Sequence, residues 1–184
     1  MSDDTSPDVL AHVGANVRRL RSAAGLSQQG LADAAGVSRR TVINLEAGQA
    51  NVSLAALDTL AAALDTTFVS LVIAPSATRD KIDELMWRGS DSASHATLLG
   101  SAPARAEGQL WRWSLGPGDR YDAEPDPDGW HEMLFVTEGA IVVEFDAERV
   151  ELGVGGHRTY SSAQQYAYVN ETSATATFLR VVLE

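Results

Sequence analysis

From Asp8 to Val72 the apolar residues recur three and four positions apart: Leu10, Val13, Val17 and Leu20, then Leu31, Ala32 and Ala35, then Leu54, Leu57, Leu60 and Leu64. A period near 3.6 puts each set on one face of a helix. Ser27, Ser38 and Ser53 stand where new helices begin, each with a hydroxyl for an orphan N–H, and Gly25, Gly36 and Gly48 punctuate the ends. The spacing predicts a bundle of five short helices near 8–24, 28–35, 39–46, 54–64 and 67–72.

After the stretch APSAT the period changes. RDKIDELMW reads as a last helical turn or a linker, and from Ser94 onward short runs alternate between apolar and polar residues, split by Gly, Pro and Asp. LWRWSL, HEMLFV, AIVVEF, RVEL, HRTYSS, YAYVN and TATFLRVVL all read as strands. With no helix between them they imply an antiparallel sandwich or barrel. The expected organisation is a helical domain over 8–74, a linker with leading strands over 75–105, and a β domain over 106–184. No repeat or low-complexity tract interrupts it.

Composition narrows the chemistry. The chain has 184 residues, 45% hydrophobic, so two small cores can be filled. No apolar run approaches the ~18 residues of a membrane span, and MSDDTSPDVL lacks the basic start and apolar core of a secretory signal, so the expected compartment is the cytoplasm. With no cysteine, a metal would have to be held by His, Asp, Glu or Tyr, and there are four histidines, His12, His95, His131 and His157. The net charge of −11 argues against a general coat for nucleic acid or anionic membrane, but not against a local basic patch. The acidity is concentrated after residue 75, which gives the two halves different electrostatic roles.

Residues 26–48, LSQQGLADAAGVSRRTVINLEAG, place two short helices around Gly36. This is a helix-turn-helix whose second helix can enter a major groove about 12 Å wide. Val37, Val42 and Leu45 face the bundle, leaving Arg39, Arg40, Ile43 and Asn44 outward. Arg can donate twice to guanine, Asn can pair twice with adenine, and Ile43 can meet a thymine methyl or pack between helices. From VRRLRSAAGLSQQGLA through VSRRTVINLEAG to LDTLAAAL, the segment resembles the XRE family of lambda-repressor-like DNA-binding domains. The resemblance implies that Gln28 grips phosphate and braces the reading helix. It puts Arg39, Arg40 and Asn44 at base-reading positions, and makes Ser38 and Thr41 cap and phosphate or base contacts. It also implies an internal ion pair between Arg21 and Glu46. A single such domain makes few phosphate contacts, so a homodimer on two half-sites is expected.

The segment from GQLWRWSLGPGDRY to the C-terminus resembles a cupin, a jelly-roll-type double-stranded β-helix. In that family a His-Pro-x-Gly-x-x-Glu motif precedes an apolar strand and a glycine. Here it reads Asp126-Pro127-Asp128-Gly129-Trp130-His131-Glu132, then MLFVTEG to Gly139. The second motif aligns with Gly155-Gly156, Tyr160 and Tyr166-Ala167-Tyr168-Val169-Asn170. The implied ligand set of two or three His and one Glu thus becomes Asp126 or Asp128, Glu132 and Tyr166. Alternation puts Glu132 on one face with Leu134 and Val136, and His131 on the other with Met133 and Phe135. A first-row metal would lose most of its imidazole donors, so neither a metal nor another cofactor is expected. The expected occupant is a small-molecule effector touching Trp113, Tyr121, Glu132, Tyr166 and Tyr168.

The resulting expectation is a multidomain protein, an all-α five-helix lambda-repressor-like domain followed by an all-β cupin. It would act as a non-enzymatic transcriptional regulator with a double-stranded DNA operator, an effector and no membrane partner. A metal-dependent cupin enzyme fused to a DNA-binding domain, and a constitutive DNA-binding protein with a purely structural cupin, remain alternatives.

Overall fold

A computed structural model describes residues 9–49, 52–74, 79, 81–104 and 107–183, of which 9–11 are described only as helical backbone. Asp8, residues 75–78, and the side chain of Leu10 lie outside the described residues. The chain divides between residues 77 and 78 into two compact units, each with its own core.

The first unit holds α1 (Val9–Ala23), α2 (Gln28–Ala35), α3 (Arg39–Glu46), α4 (Leu54–Ala63) and α5 (Phe68–Val72). The caps set these boundaries. Ser27, Ser38, Ser53 and Thr67 each take extended backbone angles and accept from the N–H three residues on, satisfying a donor the first turn leaves orphaned. Gly36 stops α2 in the left-handed region at φ 66°, where a residue with Cβ would be strained. The periodic apolar residues meet in the centre: Val13, Val17, Leu31, Val42, Leu45, Leu60 and Val69 are each at most 1% exposed. Asn16 is buried among them, and its Nδ2 donates to the carbonyls of Leu71 and Ile73, both at 2.9 Å. A side chain of α1 thereby satisfies carbonyls at the end of α5 and ties the first helix to the last.

The second unit is two antiparallel sheets. One has the order β1 (Glu84–Arg88), β2 (His95–Ala102), β3 (Gly108–Leu115), β10 (Ala176–Leu183), β5 (His131–Glu138), β8 (His157–Ser161). The other runs β4 (Arg120–Ala123), β9 (Tyr166–Val169), β6 (Ala140–Phe145), β7 (Arg149–Gly153). RDKIDELMW is therefore neither a helical turn nor wholly linker, because its last residues begin the edge strand β1. Every second residue is buried along the whole of β10 and in β5 as far as Val136. Alternation brings Trp111, Trp113, Leu115, Glu132, Leu134, Val136, Phe178, Arg180 and Val182 to the interior. Gly139, at φ 70°, turns β5 into β6 against the chain at Thr175 and Ala176, where an added Cβ would come within 2.8 Å of the Thr175 carbonyl oxygen.

Candidate functional site

In the helical unit, α3 splits cleanly between two environments. Val42 and Leu45 are fully buried, whereas Arg39, Arg40 and Ile43 are exposed and Thr41 and Asn44 are half-buried beside them. Ser38 caps the helix through the Thr41 N–H at 3.0 Å, and its hydroxyl also lies 2.8 Å from that of Thr41. The far end of the helix is held by charge. Nε of Arg21 meets Oε1 of Glu46 at 2.5 Å, Nη2 meets Oε2 at 3.2 Å, and Nη1 donates to the Leu26 carbonyl at 2.7 Å. Gln28 donates to Oε2 of the same Glu46 at 3.0 Å, so it braces the end of α3. Burial pushes the Glu46 pKa up, but the Arg21 and Gln28 hydrogen bonds outweigh it and hold the carboxyl below its ordinary value. Alongside, a cleft of about 550 Å³ is lined by Arg18, Arg19 and Ser22 of α1 against Glu46–Gly48.

In the cupin-like unit, Glu132 is 1% exposed and lies at the centre of a closed polar cluster. Its Oε2 accepts from the hydroxyls of Tyr160 and Tyr168, both at 2.5 Å, and its Oε1 accepts from Tyr166 at 2.8 Å. Nη1 of Arg180 lies 3.2 Å from Oε1. The Tyr160 and Tyr168 hydroxyls are themselves 2.7 Å apart, so they share their protons between each other and the carboxylate. Burial first, then the Glu132 charge, raises the pKa of Tyr160 and of Tyr168 well above the ordinary value, and Tyr166 is raised by burial, Tyr168 and Glu132. All three are neutral donors. For Arg180 burial works against the charge, but Glu132 and the tyrosines reverse the effect and carry its pKa well upward. Its Cζ is 4.8 Å from the Trp111 ring and 5.0 Å from the Trp113 ring, within cation–π range of both.

The sequence-predicted residues separate accordingly. Glu132, Tyr166 and Tyr168 are brought into one cluster, and Trp113 touches it through Arg180. Tyr121 is half-buried and packs 4.6 Å from the Trp113 ring and 5.9 Å from that of Tyr168. Asp126 is half-buried in the loop before β5, near enough for Glu132 and Arg180 to act on its charge. Asp128 and His131 are exposed and outside the cluster. Two central residues were missed. Tyr160 aligns only as a motif aromatic, although β8 alternation puts it inward. Arg180 reads as a surface residue by type, yet it alternates in phase with Phe178 and Val182, a signal that could have found it.

Residues 12–69 match the family profile described as a helix-turn-helix domain. A solved HTH_3 family transcriptional regulator from Vibrio cholerae is similar over 96% of this chain and 98% of that one, with 21% identity and a TM-score of 0.68. Residues 12–69 are thus a helix-turn-helix domain, and the chain shares the fold of that regulator. Weaker structural likenesses include the cupin domain of an XRE family transcriptional regulator from Enterobacter cloacae, 21% identical over 42% of this chain and 81% of that chain, TM-score 0.41. Another is hydroxypropylphosphonic acid epoxidase from S. wedmorenis, 16% identical over 94% of this chain and 97% of that chain, TM-score 0.40. No curated protein sequence matches the chain.

The motif resemblance to cupins raises the matter of a metal, and the donor set around Glu132 does not fit one. Where a divalent ion would need anionic or imidazole donors, Glu132 is surrounded by three neutral phenols and a guanidinium. A buried cation 3.2 Å from the carboxylate would repel a second one. Among the described residues, no three His, Asp or Glu side chains gather closely enough to hold an ion.

Proposed function

We propose that this chain is a sequence-specific DNA-binding transcriptional regulator, working in the cytoplasm as a homodimer, whose cupin domain takes a small-molecule effector. The observation that carries the reading is the division of α3, with Val42 and Leu45 buried while Arg39, Arg40, Ile43 and Asn44 are left outside a Ser38-capped helix. Arg39, Arg40 and Asn44 read base edges in the major groove, and Gln28, Ser38 and Thr41 contact or position phosphate. Two copies supply two recognition helices on half-sites about one turn apart. Effector binding to the cupin, through Trp113, Tyr121, Glu132, Tyr166 and Tyr168, acts by preferring one arrangement of the dimer. No catalytic step belongs to this reading.

The test begins with selection of bound duplexes from a random pool. Arg39→Ala should then lose ~1–3 kcal/mol of binding to the selected operator and relax the preference at one base position. Unchanged affinity and unchanged preference would refute the assignment of α3. Metabolites are screened next on the protein–operator complex, where one that changes operator affinity identifies the effector class.

A further inference from the structure

Among the described residues, the interior of the β unit contains an arginine and an indole N–H donor, on adjacent side chains, without an acceptor. They are Nε of Arg180 and Nε1 of Trp113, on residues 5% and 0% exposed, and neither has an acceptor among the described residues. The other indole of the pair, on Trp111, donates to Oε1 of Gln109 at 2.9 Å. Of the two indoles packed against the guanidinium, whose Cζ is 4.8 Å from the Trp111 ring and 5.0 Å from the Trp113 ring, it is the Trp113 N–H that stays unmet. An unmade hydrogen bond in a dry core is costly, so two such donors on adjacent side chains call for an acceptor.

Charge decides which acceptor. The Arg180 charge is already offset by Glu132 at 3.2 Å, and Asp126 brings a second carboxyl close enough to act on both. An entering carboxylate would set a third acid against one cation. A neutral carbonyl oxygen can take the same two hydrogen bonds without that repulsion. Trp111, Trp113 and Phe178 supply apolar walls, the Trp113 and Phe178 rings being stacked at 6.0 Å. Asp126, half-buried and within electrostatic reach of Glu132 and Arg180, is the most exposed of the charged groups around the site.

We propose that Arg180 takes the role a metal has in a metal-bearing cupin: together with the Trp113 indole it receives the carbonyl oxygen of a small neutral ligand, an amide, ester or ketone. Glu132 and the three tyrosines fix the guanidinium for this purpose. The proposal deepens the effector reading and rests on it.

The experiment follows indole and Arg Nε–H resonances of the ¹⁵N-labelled full-length chain by NMR during titration with acetamide, the minimal neutral carbonyl probe, and separately with acetate. The Trp113 indole is assigned with Trp113→Phe. Acetamide should shift the Trp113 and Arg180 Nε signals saturably while the Trp111 indole stays in place, and acetate should have the weaker effect. Arg180→Lys keeps a cation for Glu132 but has no Nε–H, and should lose the acetamide response. The absence of a saturable shift in the wild-type chain, or a response that persists in Arg180→Lys, would overturn the assignment. A stronger response to acetate would overturn the ligand class. Operator selection does not depend on this site, so failure of either experiment leaves the other standing.

Discussion

Asp126 has an environment that opposes its charge. Burial is the main cause, Glu132 adds to it, and the Ser162 hydroxyl and Arg180 oppose it only in part, so the pKa rises from 3.8 to about 6. Among the described residues Ser162 Oγ lies outside strict hydrogen-bond geometry with any partner, which fits its failure to cancel the rise. The sign follows from linkage. Below pH 3.8 the folded and unfolded chains both hold the proton, and between 3.8 and about 6 the unfolded chain releases it first. Stability is lost through that window, and the loss persists above it. Asp126→Asn should therefore stabilise the protein at neutral pH by on the order of 1–2 kcal/mol, discounted for partial exposure. Denaturant midpoints should show the advantage shrinking as pH falls toward 3.8, and a variant less stable than wild type at neutral pH would contradict it. Asp119 behaves in the opposite sense. Burial raises its pKa, but Ser94, Ser90 and the N–H groups of Asp91 and Arg120 outweigh this and lower it to about 2. Its contribution is present above pH 3.8 and is lost as pH falls through about 2. Of the cupin cluster, Glu132 and Tyr166 were legible because motif spacing and strand alternation agree on them. Arg180 was not, because residue type points a guanidinium outward, and only the carboxylate of Glu132 on the neighbouring strand β5 makes its burial tolerable.

The position of α3 depends on how closely α1 approaches it. A Cβ on Gly14 would come within 2.4 Å of the Leu45 carbonyl oxygen and 3.4 Å of that of Glu46, so α1 and α3 pack backbone to backbone there. Gly14→Ala should separate the two helices at a cost of ~1–3 kcal/mol, and should weaken operator binding beyond what the loss of folded protein explains. Thermal melts with and without operator separate the two effects. The Arg21–Glu46 pair acts on the same end of α3, with side chains 15% and 6% exposed. Glu46→Gln leaves Arg21 without its carboxylate and should cost about 3 kcal/mol. Its depressed pKa places the wild-type contribution above pH ~4.5, with loss in acid, measurable as a pH-dependent gap between the two chains. The helical elements were legible to within about a residue because serine caps and glycine stops coincide with the apolar period. The first strands were less so. β1 has no buried face, β2 is broken by an irregularity between Leu98 and Gly100, and β4 has only four residues, so none offers a clean alternation.

Across the whole chain, charge is distributed against indiscriminate DNA binding. The first 74 residues carry five arginines and seven acidic residues, whereas the remainder holds nine basic and eighteen acidic residues within a total of −11. Long-range attraction to phosphate is therefore weak. Whatever affinity exists must come from short-range contacts of the exposed Arg39, Arg40 and their neighbours, which act within a Debye length of ~8 Å at physiological salt. Specific and nonspecific binding should then respond differently to salt. Nonspecific duplex should bind no more tightly than ~10⁻⁴ M at physiological salt, the weak end of the usual range. Operator binding should keep a measurable affinity under the same conditions, with a logarithmic salt slope that falls by about 1 for each cationic phosphate contact removed. Titrations of labelled operator and scrambled duplex across a salt series test this directly. A base-reading substitution such as Asn44→Ala should lower operator affinity without changing the slope, whereas loss of a phosphate contact at Gln28 or Thr41, both uncharged, should also leave the slope intact. Arg40→Ala distinguishes the two roles still open to that residue: a slope reduced by about 1 assigns it to phosphate, and an unchanged slope with relaxed preference assigns it to a base.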